Sequence, residues 1–179
     1  MKKLHLLCNA HIDPVWQWEW EEGAAEALST FRIAADFCEQ YEDYMFCHNE
    51  VLLYDWIEQF DPELFTRIQD LVARGKWHIM GGWYLQPDCN IPSGEAFVRQ
   101  MKLGREYFWK NFGKRPTVAV NFDSFGHGPS LPQILKKCGL DNYVFSRPAL
   151  KEQSLEKELF VWKSPDGSEV LAYRSDADG

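Results

Sequence analysis

The chain has 179 residues, 45% of them hydrophobic and 15% aromatic, enough for a real core within the usual size of one domain. A formal charge of −8 with no basic patch among the aromatics argues against nucleic-acid binding, and no apolar run approaches the roughly 20 residues that span a bilayer. Neither export nor membrane anchoring is expected, and five scattered cysteines (Cys8, Cys38, Cys47, Cys89, Cys138) without a C-x-x-C pair point to reduced thiols in the cytoplasm.

In chain order, Leu4 to Cys8 reads as a short buried strand, ending in Asn9-Ala10-His11-Ile12-Asp13-Pro14-Val15-Trp16. In extended chain, residues two apart project to the same side, so His11 and Asp13 can offer an imidazole nitrogen and a carboxylate to one point. Zinc accepts that donor pair, and a catalytic zinc keeps one coordination position open. By itself H-x-D is a weak pattern, equally suited to a polar pair satisfied by backbone at a strand end.

From Glu21 to about Gln40, Ala24, Leu28, Phe31, Ala35 and Cys38 recur at spacings of three and four, the period of an amphipathic helix. Tyr44 to Cys47 reads as a second strand closed by His48-Asn49-Glu50, and two helices follow, Val51 to Phe60 and Pro62 to Ala73, the latter ended by Gly75. Lys76 to Met80 is a third strand, leading into a loop, Gly81-Gly82-Trp83-Tyr84-Leu85-Gln86-Pro87-Asp88, rich in functional side chains. Trp83 is a candidate sugar-stacking face there. Ser93 caps a helix with the stripe Phe97, Met101, Gly104 and Phe108, and Glu95 lies where the helix dipole favours an anion.

Thr117 to Phe122 is a fourth strand, followed by the second candidate site, Asp123-Ser124-Phe125-Gly126-His127-Gly128. A short helix from Leu131 to Cys138 stops at Gly139, and Tyr143 to Ser146 is a fifth strand leading to Arg147. Leu159 to Lys163 and Val170 to Arg174 flank Pro165-Asp166-Gly167 as a β-hairpin. Strands alternating with helices predict an α/β fold with a parallel sheet, which carries its chemistry at the carboxyl ends of the strands. His11, Asp13, Asp123 and Arg147 all follow strands, and His11, Asp13 and Asp123 are expected to converge on one metal ion. A complete barrel needs roughly 200–250 residues or more, so this chain is expected to be the first part of a larger domain.

With His11-Ile12-Asp13-Pro14-Val15-Trp16 and Asn121-Phe122-Asp123-Ser124-Phe125-Gly126-His127 in this order, the sequence resembles the N-terminal catalytic domain of glycoside hydrolase family 38, the retaining α-mannosidases. Gly81-Gly82-Trp83-Tyr84, Gln86-Pro87-Asp88, Ser93-Gly94-Glu95 with Arg99-Gln100, and Ser146-Arg147-Pro148 resemble further segments of it, especially in bacterial and cytosolic members. The likeness covers essentially the whole chain. It implies an irregular parallel (β/α) barrel of seven strands, of which residues 1–179 hold about five plus the C-terminal hairpin, without the rest of the barrel or the downstream domains.

For function, the resemblance implies a zinc-dependent hydrolase of α-linked mannosides, active in mannose metabolism. His11, Asp13 and Asp123 would be zinc ligands, with Asp123 also the nucleophile. Trp16 and Phe125 would line the sugar subsite, with Arg147 near the nucleophile or substrate. The implied partner is an α-mannoside or oligosaccharide, with no nucleic acid and no membrane; oligomer formation is left open. The family's fourth zinc ligand, a histidine, and its general acid, an aspartate, come later in the chain than residue 179, so these residues alone are expected to be inactive. Ser124 also departs from the proline that many members carry. Two other classes compete: a metal-dependent carbohydrate deacetylase, which would need an H-x-x-x-H pair that the sequence lacks, and a non-catalytic carbohydrate-binding module.

Overall fold

The computed structural model describes residues 6–149 and 151–175. The chain divides into two compact units, one made of Met1–His48 with Leu52–Ile79, the other of Asn49–Val51 with Met80–Gly179.

The first unit is built on α1 (Trp20–Gln40), α2 (Val51–Phe60) and α3 (Pro62–Ala73), which follow the predicted periodicities. The buried face of α1 is Ala24, Ala27, Phe31, Ala34, Ala35 and Cys38. Small residues there let the helix approach its neighbours, and Phe31 fills the centre. Its ring meets those of His48, Tyr54 and Trp77 edge-on at 4.9, 5.1 and 5.2 Å, near the separations aromatic quadrupoles favour. Trp77 Nε1 donates to Tyr54 Oη at 2.8 Å, so both buried polar tips are satisfied. Asp61 caps α3 by accepting from Leu64 N at 3.0 Å, with Pro62 in the first turn where its missing N–H costs nothing. Arg67 forks from α3 to Glu39 at 2.7 Å and Asp36 at 2.5 Å on α1.

The predicted first strand is not seen as such. Met1–His5 lie outside the described residues; of the described part, Leu6 and Leu7 are 81% and 62% exposed, and only Cys8 pairs, in a parallel bridge to Phe46. Strand β1 (Phe46–Glu50) runs past the predicted closure at His48, and β2 (Trp77–Trp83) runs through Gly81-Gly82, where a loop was expected. The two strands pair in a two-stranded sheet. The extension has a steric cause: a Cβ on Gly81 would lie 2.5 Å from Asn49 Cβ, and Gly81 and Gly82 have φ of 82° and 92°. The glycines continue the strand here because only they fit it.

His48, within β1, is fully buried, with Nε2 3.0 Å from Ala10 O, and burial pushes its pKa from 6.5 down to about 3. The unfolded chain therefore binds a proton between those values that the folded chain refuses. Stability is expected to fall as pH drops from about 6.5 towards about 3. His48→Gln should flatten that dependence by close to one proton in denaturant titrations across the range, and parallel curves for the two proteins would contradict it.

The second unit holds α4 (Gly94–Phe112), β3 (Val118–Asn121), α5 (Leu131–Lys137), β4 (Asn142–Phe145), β5 (Leu159–Lys163) and β6 (Glu169–Arg174). Its sheet has the order β3-β4-β6-β5, parallel across β3, β4 and β6, with β5 antiparallel at one edge. The predicted hairpin forms, and its second strand also enters the parallel sheet, because Val170 and Ala172 turn inward on the period of two. Ser93 caps α4 through Ala96 N at 3.3 Å, and Gly113 ends it in the left-handed conformation. Met101, Phe108, Leu135, Tyr143 and Ala172 are fully buried in this unit. Gly104 is the tightest point: a Cβ there would lie 2.0 Å from Gly82 O, so α4 rests directly on the backbone of β2.

Candidate functional site

The first group of candidate residues belongs to the first unit. Residues 8–10 are held against β1 by Cys47 N donating to Cys8 O at 2.9 Å, Asn9 Nδ2 to Cys47 O at 2.7 Å, and the His48 contact with Ala10 O. This anchors the stretch from which His11 and Asp13 project. His11 Nε2 and Asp13 Oδ1 lie 3.4 Å apart. Two ligands each about 2.0–2.2 Å from a tetrahedral zinc stand about 3.3–3.6 Å apart, so the pair has the spacing of one edge of such a site. Trp18 Nε1 donates to Asp13 O at 3.1 Å, fixing the main chain at Asp13. Trp16 is two-thirds exposed and meets Trp18 edge-on at 5.4 Å, leaving much of its ring open to a ligand. Gly23 lets the turn close, since a Cβ there would lie 2.1 Å from Pro14 O.

The second group lies at the carboxyl ends of β3 and β4 in the second unit. Arg147 Nε lies 2.5 Å from Asp123 Oδ1, and its guanidinium carbon sits 4.9 Å from the centre of the exposed Phe125 ring. The cation thus bridges a carboxylate and an aromatic face, both partly open to solvent. Beneath them a polar lattice shapes the turn. Asn121, fully buried, accepts from Trp83 Nε1 at 3.0 Å and donates to Pro87 O at 3.0 Å and Ser124 Oγ at 3.1 Å. Phe122 N donates to Gln86 Oε1 at 2.9 Å, and Ser146 Oγ donates to Phe122 O. Asp123 is flanked on both sides by residues whose backbone or side chain is tied down. Such a lattice presents a carboxylate at small reorganisation cost.

Trp83 has to be reassigned. Its side chain has no exposed surface, its ring packs on Phe97 at 6.0 Å, and its N–H is used by Asn121, so it offers no face to a sugar. It supports the Asp123 turn from below. Asp88 also has a local task, accepting from Asn90 N and Ile91 N at 2.8 and 2.9 Å to form the loop. Glu50 is buried within β1. His127 spends both ring nitrogens on its neighbours: Nε2 lies 2.7 Å from Arg147 O and Nδ1 2.8 Å from Tyr143 Oη, and burial lowers its pKa. Sequence reasoning missed Tyr143 and Ser146. A tyrosine and a serine in or beside a strand carry no spacing signal, and their partners lie 16 and 24 residues away.

Residues 1–177 match the family described as glycosyl hydrolases family 38 N-terminal domain. The chain is 32% identical over 173 residues to alpha-mannosidase G of Dictyostelium discoideum and 31% identical over 171 residues to alpha-mannosidase 2C1 of Mus musculus. Each alignment covers 95% of this chain and 16% of the relative, so the chain spans about a sixth of their length. Among solved structures it is similar to an alpha-mannosidase from Enterococcus faecalis V583, with a TM-score of 0.84 at 22% identity, over 94% of this chain and 19% of that one. Among the described residues no helix is long and apolar enough to cross a membrane, and all five cysteines are free thiols.

Proposed function

Because this chain belongs to glycosyl hydrolase family 38, we propose that its protein is a zinc-dependent retaining α-mannosidase, with His11, Asp13 and Asp123 as metal ligands and Asp123 as nucleophile. The observation that carries this reading is the Asp123–Arg147–Phe125 group: a carboxylate in contact with a guanidinium at 2.5 Å, beside an exposed aromatic face, at a strand's carboxyl end. The His11–Asp13 spacing of 3.4 Å and their nitrogen and oxygen donors suit zinc. The ion, when bound, would grip vicinal sugar hydroxyls and favour an axial 2-hydroxyl. The strands would belong to the family's seven-stranded barrel, and the free thiols suit a cytoplasmic protein.

In the mechanism, Trp16 and Phe125 offer apolar faces to the sugar ring. Asp123 attacks the anomeric carbon as the glycosidic bond breaks, giving a covalent glycosyl ester with an inverted anomeric centre. Water then cleaves the ester with a second inversion, so the configuration is retained overall. A second carboxyl group, roughly 5–5.5 Å from the first, must protonate the leaving oxygen and later deprotonate the water. That group is assigned, by the resemblance, to an aspartate outside these residues. Arg147 places its positive charge against the Asp123 carboxylate and so holds it in position for attack.

A slow fluorinated substrate separates nucleophile from ligand. With a 5-fluoro α-mannosyl fluoride and the full-length protein, the label is expected on the peptide containing Asp123, and an unmodified aryl α-mannoside is expected to give the α-anomer as first product. Label on Asp88 or Glu50, or an inverted product, would overturn the assignment.

A further inference from the structure

The side chain of Arg147 has four rotatable bonds through which to leave Asp123, so a fixed main chain narrows the arrangements it samples and favours the contact of 2.5 Å. Two buried or largely buried side chains hold consecutive carbonyls there. His127 Nε2 lies 2.7 Å from Arg147 O. Arg174, fully buried at the end of β6, donates from Nη1 to Pro148 O at 3.3 Å and to Gln153 O at 2.6 Å. The 147–148 link is therefore pinned at both peptide oxygens.

The direction of the His127 contact follows from its partners. A carbonyl oxygen only accepts, so Nε2 carries the proton. In the neutral ring Nδ1 is then a bare acceptor, and the Tyr143 hydroxyl, 2.8 Å away, donates to it. Burial disfavours the imidazolium that would break this pattern. The imidazole is further held edge-on against Phe145 at 4.9 Å and Tyr143 at 5.5 Å. The Tyr143 hydroxyl, the His127 imidazole and the accepting Arg147 carbonyl thus form one polarised row that ends at the arginine beside Asp123.

We propose that His127, oriented by Tyr143, is a positioning residue for the reaction at Asp123: it holds the Arg147 carbonyl so that the guanidinium meets the carboxylate. The inference rests on the glycosidase reading of Asp123. It gives His127 a task beyond filling space, and one its shape can test. The amide nitrogen of glutamine reaches where Nε2 stands, whereas that of asparagine reaches only as far as Nδ1. His127→Gln keeps the donor to Arg147 O and His127→Asn does not, although both remove the ring.

In the full-length protein, His127→Asn is expected to lower kcat on an aryl α-mannoside by about 10²-fold, the usual cost of a misplacement near 1 Å, with KM little changed. His127→Gln should recover most of that loss. In an Arg147→Ala background the same His127→Asn change should cost no more than about twofold, because its effect passes through the arginine. Crystal structures of the two single variants should show the Arg147–Asp123 contact broken in His127→Asn and kept in His127→Gln. Equal losses for the two variants, an undiminished loss in the Arg147→Ala background, or an unmoved guanidinium in His127→Asn would each overturn the proposal. If His127→Asn does not fold, Tyr143→Phe removes only the orienting hydroxyl and should lower kcat by about tenfold, again only while Arg147 is present. A wild-type protein without α-mannosidase activity would refute the glycosidase reading, and the crystallographic comparison would then decide on the clamp by itself.

Discussion

Asp123→Ala in the full-length protein is expected to abolish turnover, lowering kcat by at least about 10³-fold, because on the proposed reading it removes the attacking carboxylate and a metal ligand at once. Metal content should fall as well, and added zinc should restore none of the activity. Asp13→Asn should behave differently. The amide keeps an oxygen where the carboxylate had one, so the site binds metal more weakly and the lost activity follows zinc occupancy. Initial rates paired with elemental analysis over a zinc titration separate the two. Asp123→Ala retaining a tenth of wild-type kcat, or Asp13→Asn staying inactive at full zinc occupancy, would dismantle the division of roles. The two aspartates differ in surroundings. Asp123 has the Arg147 cation 2.5 Å away, whereas the partner of Asp13 is the imidazole of His11 at 3.4 Å.

The largest effect on folding is expected at Gly104. An alanine in a helix interior is ordinarily better than glycine by about 1 kcal/mol. At Gly104 the sign should reverse, since the added methyl would lie 2.0 Å from Gly82 O and 2.6 Å from the Trp83 carbonyl carbon. Neither atom can yield easily. Gly82 has φ 92°, and the chain after it is tied to α4 by Tyr84 N to Gln100 O at 3.1 Å and Leu85 N to Gln100 Oε1 at 2.9 Å. Forcing this contact apart should cost about 3 kcal/mol or more. Gly94→Ala, in the same helix with open space around it, is the control and should be neutral or mildly stabilising. The denaturation midpoint decides: a Gly104→Ala protein as stable as wild type would show that α4 can move off β2. The same displacement would tilt Trp83, and with it Asn121 beneath the Asp123 turn, so lower activity should accompany the lower midpoint.

The sequence revealed the helices because their apolar residues recur with a period near 3.6 and their ends carry local chemistry, such as Asp61-Pro62 before α3 and Ser93 before α4. It was poorer at strand ends. Gly81-Gly82 signals a turn by composition, and only the close approach of Asn49 explains why the glycines continue a strand. Sequence motifs named His11 and Asp13 after a predicted strand that is not seen as such, and Asp123 and Arg147 after strands that are, while Phe125 was named through the family resemblance. The lattice supporting them was not legible. Trp83 could be read as a stacking face or as core with equal right, and burial alone decided between them. The row joins His127 to Tyr143 and Arg147, 16 and 20 residues further along, and no periodicity records such an alignment.

The short run Asn49–Val51 belongs with Met80–Gly179, although Met1–His48 and Leu52–Ile79 stand on either side of it in the chain. Each unit is therefore assembled from interrupted text. No single cut yields a piece containing one unit whole and nothing of the other: a gene fragment starting at residue 80 lacks three buried residues of its own unit, and one ending at residue 79 carries them as strangers. A fold of this kind resists dissection by truncation. Grafting either unit into another scaffold would require transplanting both segments together.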